Sequence, residues 1–287
     1  MLHSAHAPPA RLAPFVQSLW IQEEPATPAG ETVEPTVLLP VGHASLVLEY
    51  GDPYEELALD GTWRRLMPVV LAGPFTRPVR VRATGRTGLV IVPFHPWGAS
   101  AFFGPQEESG ERFTDLADAL SPALAGRLED EVRSAAGARA RREVVERFLC
   151  ARLAESRPSS RLDPRAAAAA LRIERGGGRA PVEAVADELG VGRRHLLRLC
   201  ERTLGLAPKA FARIVRFQHA LRRARAGEAW AEVAAGAGFS DQAHLVKECV
   251  ALAGCTPTAL AAGIDERAVG RHFNDADPRL CRGTQYL

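Results

Sequence analysis

The 287-residue sequence is long enough for two ordinary domains, and 46% hydrophobic with 24% charged residues is a globular composition. It has no apolar run of about eighteen residues, and residues 1–14 lack a basic start and an apolar core, so neither a membrane span nor a secretion signal is expected. Net charge is +2 but unevenly spread: residues 158–263 hold 16 basic against 10 acidic side chains, whereas residues 1–157 hold 16 against 20.

Taken in order, residues 8–97 read as short strands. Phe15–Ile21 alternates weakly. Thr36–Pro40 and Ala44–Tyr50 read as a hairpin turning at Val41-Gly42-His43. Leu66–Ala72, Val79–Arg82 and Thr87–Val92 follow, punctuated by Gly-Pro and Gly-Asp pairs. Many short strands with such turns predict a small barrel or sandwich. His43 and His95 invite a metal, but no His-x-His occurs here and no third ligand converges by spacing, so no metal or other cofactor is expected. Residues 113–156 read as helices, from Leu116, Leu120, Leu124, Leu128 and Val132, then Val144, Val145, Phe148, Leu149 and Leu153. Ser156-Arg157-Pro158-Ser159-Ser160 is the expected linker. Asp163-Pro164 then supplies a cap and a first-position proline for a helix over Arg165–Arg175, closed by Gly176-Gly177-Gly178. Cys150, Cys200, Cys249, Cys255 and Cys281 form no Cys-x-x-Cys pair and read as reduced thiols of a cytoplasmic protein.

One pattern is written twice. Val185-Ala186-Asp187-Glu188-Leu189-Gly190-Val191 precedes Arg193–Arg198, and Val233-Ala234-Ala235-Gly236-Ala237-Gly238-Phe239 precedes Asp241–Lys247. In each, an Ala stands four residues before a Gly and an apolar residue follows the Gly. The Ala allows close helix approach, the Gly permits a left-handed turn, and the apolar residue plugs the crease. This is a helix-turn-helix, whose second helix can enter a DNA major groove. The copies stay in register past the turn with one added residue, through Cys200 with Cys249, Gly205 with Gly254 and Pro208 with Pro257. The first unit is expected over Val182–Leu189 and Arg193–Leu204, and the second over Trp230–Ala235 and Asp241–Ala253. A helix of about 208–226 joins them and carries Arg213, Arg216, Arg222, Arg223 and Arg225.

The stretch from about Asp163 to Gly263 resembles the DNA-binding domain of the AraC/XylS transcription regulators, most closely at Ala237-Gly238-Phe239-Ser240-Asp241-Gln242-Ala243-His244-Leu245. Upstream, Leu38–Val47, Gly73-Pro74-Phe75-Thr76 and Phe94-His95-Pro96-Trp97-Gly98-Ala99 resemble the β-barrel sensor-like domains of that family. The resemblance implies an α+β chain of two domains. Residues 1–156 would form a small β-barrel or sandwich with following helices, residues 157–263 an all-α DNA-binding domain, and residues 264–287 a tail. It implies no enzyme but a sequence-specific regulator reading two successive major grooves of double-stranded DNA. Its further implied partners are a small-molecule effector inside the barrel, a second copy paired through the helices after the barrel, and RNA polymerase if it activates. Those helices have an alternative use, packing on their own barrel, and the barrel can equally be filled by its own side chains.

By the same resemblance, the base-facing residues are Arg194, Leu197 and Arg198 in the first unit and Gln242, Ala243, Val246 and Lys247 in the second. Arg193 and Ser240 are expected at phosphates, with Ser240 also capping the second recognition helix. Leu197 and Val246 stand where polar readers are common, and Val250-Ala251-Leu252 replaces a basic stretch, so the second unit reads as the weaker clamp. Two other readings are a cupin-type metal enzyme with appended helices and a protein-binding module without DNA affinity.

Overall fold

A computed structural model of the chain describes residues 2–26, 35–106, 113–155 and 163–263. The expected linker and tail, with Cys281, lie outside them. Ten strands come first: β1 (Leu2–His6), β2 (Leu19–Glu24), β3 (Thr36–Leu38), β4 (Ser45–Glu49), β5 (Tyr54–Leu57), β6 (Trp63–Arg65), β7 (Val69–Ala72), β8 (Val79–Ala83), β9 (Thr87–Pro93) and, after helix α1 (Ser100–Phe103), β10 (Phe113–Asp115). Helices α2 (Leu116–Ala119), α3 (Pro122–Ser134) and α4 (Gly137–Glu155) follow. The helical domain holds α5 (Pro164–Arg175), α6 (Val182–Glu188), α7 (Arg193–Leu204), α8 (Pro208–Arg225), α9 (Trp230–Ala237), α10 (Gln242–Ala253) and α11 (Pro257–Gly263).

The strands make two antiparallel sheets, β1-β2-β9-β4-β7-β10 and β3-β8-β5-β6. Among the described residues each sheet ends in free edges, so the expected barrel is not closed. The six-stranded sheet is covered on both faces, and β4 and β9 are therefore buried along their whole length. One face, through Leu46, Leu48, Val90 and Val92, packs on Leu128, Val132, Val145 and Leu149 of α3 and α4. The other, through Val47, Val70 and Ile91, meets Leu38, Tyr54 and Val81 of the four-stranded sheet. The apolar positions of α3 and α4 are thus spent on the chain's own sheet.

The expected hairpin between β3 and β4 does not form. β3 pairs with β8 in one sheet, and β4 with β7 and β9 in the other. The reason is a contact far away in sequence. The segment between the strands docks on α8: Leu39 is buried among Phe217, Leu221 and Leu245, Pro40 O accepts a hydrogen bond from Gln218 Nε2 at 2.5 Å, and a side-chain carbon on Gly42 would lie 2.5 Å from the Phe211 ring. Trp97 is buried in the same way within the first helix-turn-helix core, beside Leu204 and Phe211. The two domains therefore share side chains across their seam.

His43 sits in that seam, 8% exposed, and its Nε2 is buried without a partner among the described residues. Burial, then repulsion from His95, pulls its pKa from 6.5 to about 4. The unfolded chain binds this proton from pH 6.5 downward and the folded chain only near 4, so the contribution is intact above 6.5 and lost as pH falls through that window. Substituting His43→Gln is expected to flatten the loss, narrowing the stability gap between pH 7 and pH 4 by up to about 3 kcal/mol in chemical denaturation.

Candidate nucleic-acid interface

Each helix-turn-helix unit is built as its sequence dictates. Ala186 and Ala234 are buried at the crossing of the two helices. Gly190 and Gly238 hold φ of 63° and 81°, the left-handed region where a side chain is costly. In both turns the next amide closes on the same carbonyl: Val191 N to Ala186 O at 3.0 Å, and Phe239 N to Ala234 O at 2.9 Å. The added residue falls in the second turn, since α7 starts three residues after Gly190 and α10 four after Gly238.

The inner stripes of the recognition helices, Leu196, Cys200 and Leu204 in α7 and Leu245, Cys249 and Leu252 in α10, are buried. Their opposite arcs face outward. Arg194, Leu197 and Arg198 are exposed on α7; Gln242, Ala243 and Lys247 are exposed on α10, with Val246 half-buried beside them. Of the exposed large hydrophobics among the described residues, Leu197 (39%) and Val250 (49%) lie on these two arcs. The C-terminal ends of both helices are seated on the sheet domain. Gln106 N donates to Arg202 O at 2.7 Å, a side-chain carbon on Gly205 would lie 3.4 Å from Pro74, and one on Gly254 would lie 3.7 Å from Pro78.

A family model described as a helix-turn-helix domain matches residues 185–263, spanning both units, and a domain of unknown function (DUF6597) matches residues 4–112. No curated protein matches the chain. Among solved structures, ToxT from Vibrio cholerae overlays with TM-score 0.46 at 10% identity, covering 84% of this chain and 98% of that one. The AraC-like transcriptional activator CuxR overlays with TM-score 0.27 at 18% identity, covering 75% and 78%. Residues 185–263 form an AraC-type helix-turn-helix domain. The chain is a DNA-binding regulator.

In this AraC-type domain the structure separates arginines that build the frame from those left free. Arg213 forms a two-pronged pair with Glu248, at 2.6 and 3.1 Å, and so fastens α8 to α10. Arg216 donates to Gly178 O at 3.0 Å and lies 5.8 Å over the Phe239 ring, joining the α5–α6 loop to the second turn. Arg223 pairs with Glu228. Arg193 pairs with Glu183 at 2.9 Å, both exposed, a link worth little in water and easily exchanged for a phosphate. His195 is half-buried with Nε2 enclosed, a packing position.

Two further points differ from the sequence reading. Ser240 does not cap α10. Asp241 does, accepting from His244 N at 2.7 Å, because it is the residue directly before the helix and its carboxylate reaches the free amides. Hydrogen bonding from the His244 amide holds the Asp241 carboxyl below its ordinary range. The Ser240 hydroxyl instead meets Asp241 Oδ2 and His244 Nδ1, each at 3.2 Å. Of the stretch Val250-Ala251-Leu252, only Leu252 is buried, so Val250 is an outward residue one turn beyond Val246, a position that helical spacing alone reveals. Glu201 likewise lies one turn beyond Leu197 and Arg198, half-buried, at the end of the α7 arc.

Gly178 fixes the two units together: a side-chain carbon there would lie 2.1 Å from Ala212 O and 2.8 Å from Arg216 N, and its φ is 71°. Substituting Gly178→Ala is expected to cost about 1–3 kcal/mol in thermal unfolding of the helical domain and to lower DNA affinity without touching any exposed arc residue.

Proposed function

We propose that this regulator places α7 and α10 in two successive major grooves on one face of the duplex, about 34 Å apart. Arg194 and Arg198 stand one turn apart and read guanine through two-pronged contacts. Gln242 reads adenine, Lys247 neutralises phosphate, and Arg193 and Ser240 hold the backbone. Leu197 and Val250, apolar yet exposed, touch thymine methyls, as does the small Ala243 with Val246 beside it. The single observation that carries this reading is that the outward arcs of both recognition helices are free in the folded chain while their inner stripes and C-terminal ends are packed.

The first unit carries more of the affinity. Its recognition helix begins at Gly192, with no acidic residue at its cap or in its first turn, and shows two arginines. The second begins at Asp241, whose charge opposes a phosphate at that end, and shows one lysine. The protein-binding alternative rested on an apolar 250–252 surface, and its largest residue, Leu252, is buried. The sheet domain acts as an effector module, and the protein works in the cytoplasm.

Selection from random duplexes yields an operator, and mobility shifts at fixed salt then rank the variants. Arg198→Ala is expected to lose discrimination against random DNA by about 1–3 kcal/mol. Lys247→Ala is expected to weaken all sequences alike and to lower the salt slope by about one. Equal losses from the two would contradict the ranking, and a flat salt dependence would contradict DNA reading.

A further inference from the structure

The two sheets do not fill the space between them. A cleft remains, lined by Leu38, Val47, Glu49, Tyr54, Phe113 and neighbouring aliphatic residues, with about 370 Å³ of free space counting its open mouth. Most of that space is open to solvent, so the body of an occupant would sit in the mouth of the cleft rather than inside it. The pleat explains the lining: Leu46 and Leu48 of β4 face the helices, so Val47 and Glu49 face the cleft.

Glu49 is out of place among hydrocarbon. It is 6% exposed, and its carboxylate receives one long hydrogen bond, from Tyr54 N at 3.3 Å. It forms no ion pair among the described residues. Arg65 and Arg133 act on it only through their field, and burial pushes its pKa from 4.5 to about 8. A buried carboxyl without a cationic partner opposes folding, and a leucine or glutamine would fill the site more cheaply. The rings of Tyr54 and Phe113 stand on the same cleft, and aromatic faces attract cations.

We propose that the cleft binds a small organic ammonium ion with an apolar body, with Glu49 as its counter-charge and Tyr54 and Phe113 as its aromatic wall. The proposal rests on the effector reading of the sheet domain and names the chemistry of the effector. Two routes lead from the cleft to the DNA-reading helices. Leu38 lines it, while the next residue, Leu39, is buried in the core of the second unit. Phe113 also lines it and packs edge-on to Phe75 at 5.6 Å; Phe75 anchors the β7–β8 connection, whose Pro74 and Pro78 meet the ends of α7 and α10.

The test titrates the full chain calorimetrically with benzyltrimethylammonium, benzyl alcohol and phenylacetate, a cation, a neutral and an anion on one ring. The cation is expected to bind at least tenfold tighter than either of the others. Its charge does not titrate, so its affinity should rise up to about tenfold per pH unit below 8 and level off above, following Glu49 under the influence of Arg65, Arg133 and the Tyr54 amide. Glu49→Gln should remove the cation's advantage and its pH dependence while leaving benzyl alcohol unchanged. Phe113→Leu, at a half-buried edge position, should weaken the cation more than the alcohol and serves if Glu49→Gln does not fold. A cation bound no better than the alcohol, or unaffected by either variant, overturns the proposal. Mobility shifts with each compound separate the two layers. Phenylacetate that binds and alters DNA affinity sinks the ammonium assignment and keeps the effector reading. A cation held through Glu49 that leaves DNA affinity unchanged keeps the site and sinks the effector reading.

Discussion

The two recognition helices end against one short piece of the other domain. The β7–β8 connection presents Pro74 to the end of α7 and Pro78 to the end of α10, and its own Phe75 is locked into the core between the sheets. A two-groove reader depends on the distance and angle between its helices, because DNA offers successive grooves only at the pitch of the duplex. Here that geometry is set twice. Within the helical domain, α8 holds it through Gly178, Arg216 and the Arg213–Glu248 pair. From outside, the sheet domain holds it at both C-terminal ends. The first constraint makes the units a rigid pair, and the second ties the pair to whatever changes the sheets.

The same seam explains which parts of the sequence were legible. The duplicated turn was, because its demands are local: a left-handed glycine, a small residue at the crossing and an apolar plug lie within a few positions of one another, and the structure places Gly190, Gly238, Ala186 and Ala234 in those roles. The partnering of β3 was not, because Leu39, Pro40 and Gly42 answer to α8, some 170 residues further on. β4 and β9 hid their edges for another reason: covered on both faces, they read as continuous apolar runs without alternation. β5 and its edge neighbour β6 are polar, Glu55 opposite Arg65 and Glu56 opposite Arg64, and carry charge where a pattern search looks for hydrocarbon.

The division of labour among the arginines was also beyond the sequence. Helical spacing puts Arg194 and Arg198 on one face, and the structure leaves that face free. Spacing says nothing of Arg213 and Arg216, whose partners, Glu248 and Gly178, come from other helices. Basic composition marked the right half of the chain, yet much of that charge is used inside the domain. The positive surface a duplex would meet is therefore narrower than the count of 16 basic residues suggests, and between the two recognition helices it is concentrated on α7, with four basic side chains against one on α10.

That concentration bears on how the sheets can act. A regulator with two equal heads would lose binding whenever either head moved. If the first unit, with the arginines, holds most of the affinity, as proposed, a shift of the second unit, with Asp241 at its leading end, would change which half-site spacing is preferred before it costs the complex outright. The second unit is also the one whose core contains Leu39 of the sheet domain, next in sequence to a wall of the inter-sheet cleft. On the reading proposed above, the weaker reader is the better placed to be moved: a small energy from the cleft would bias it while the stronger reader keeps the protein on its site.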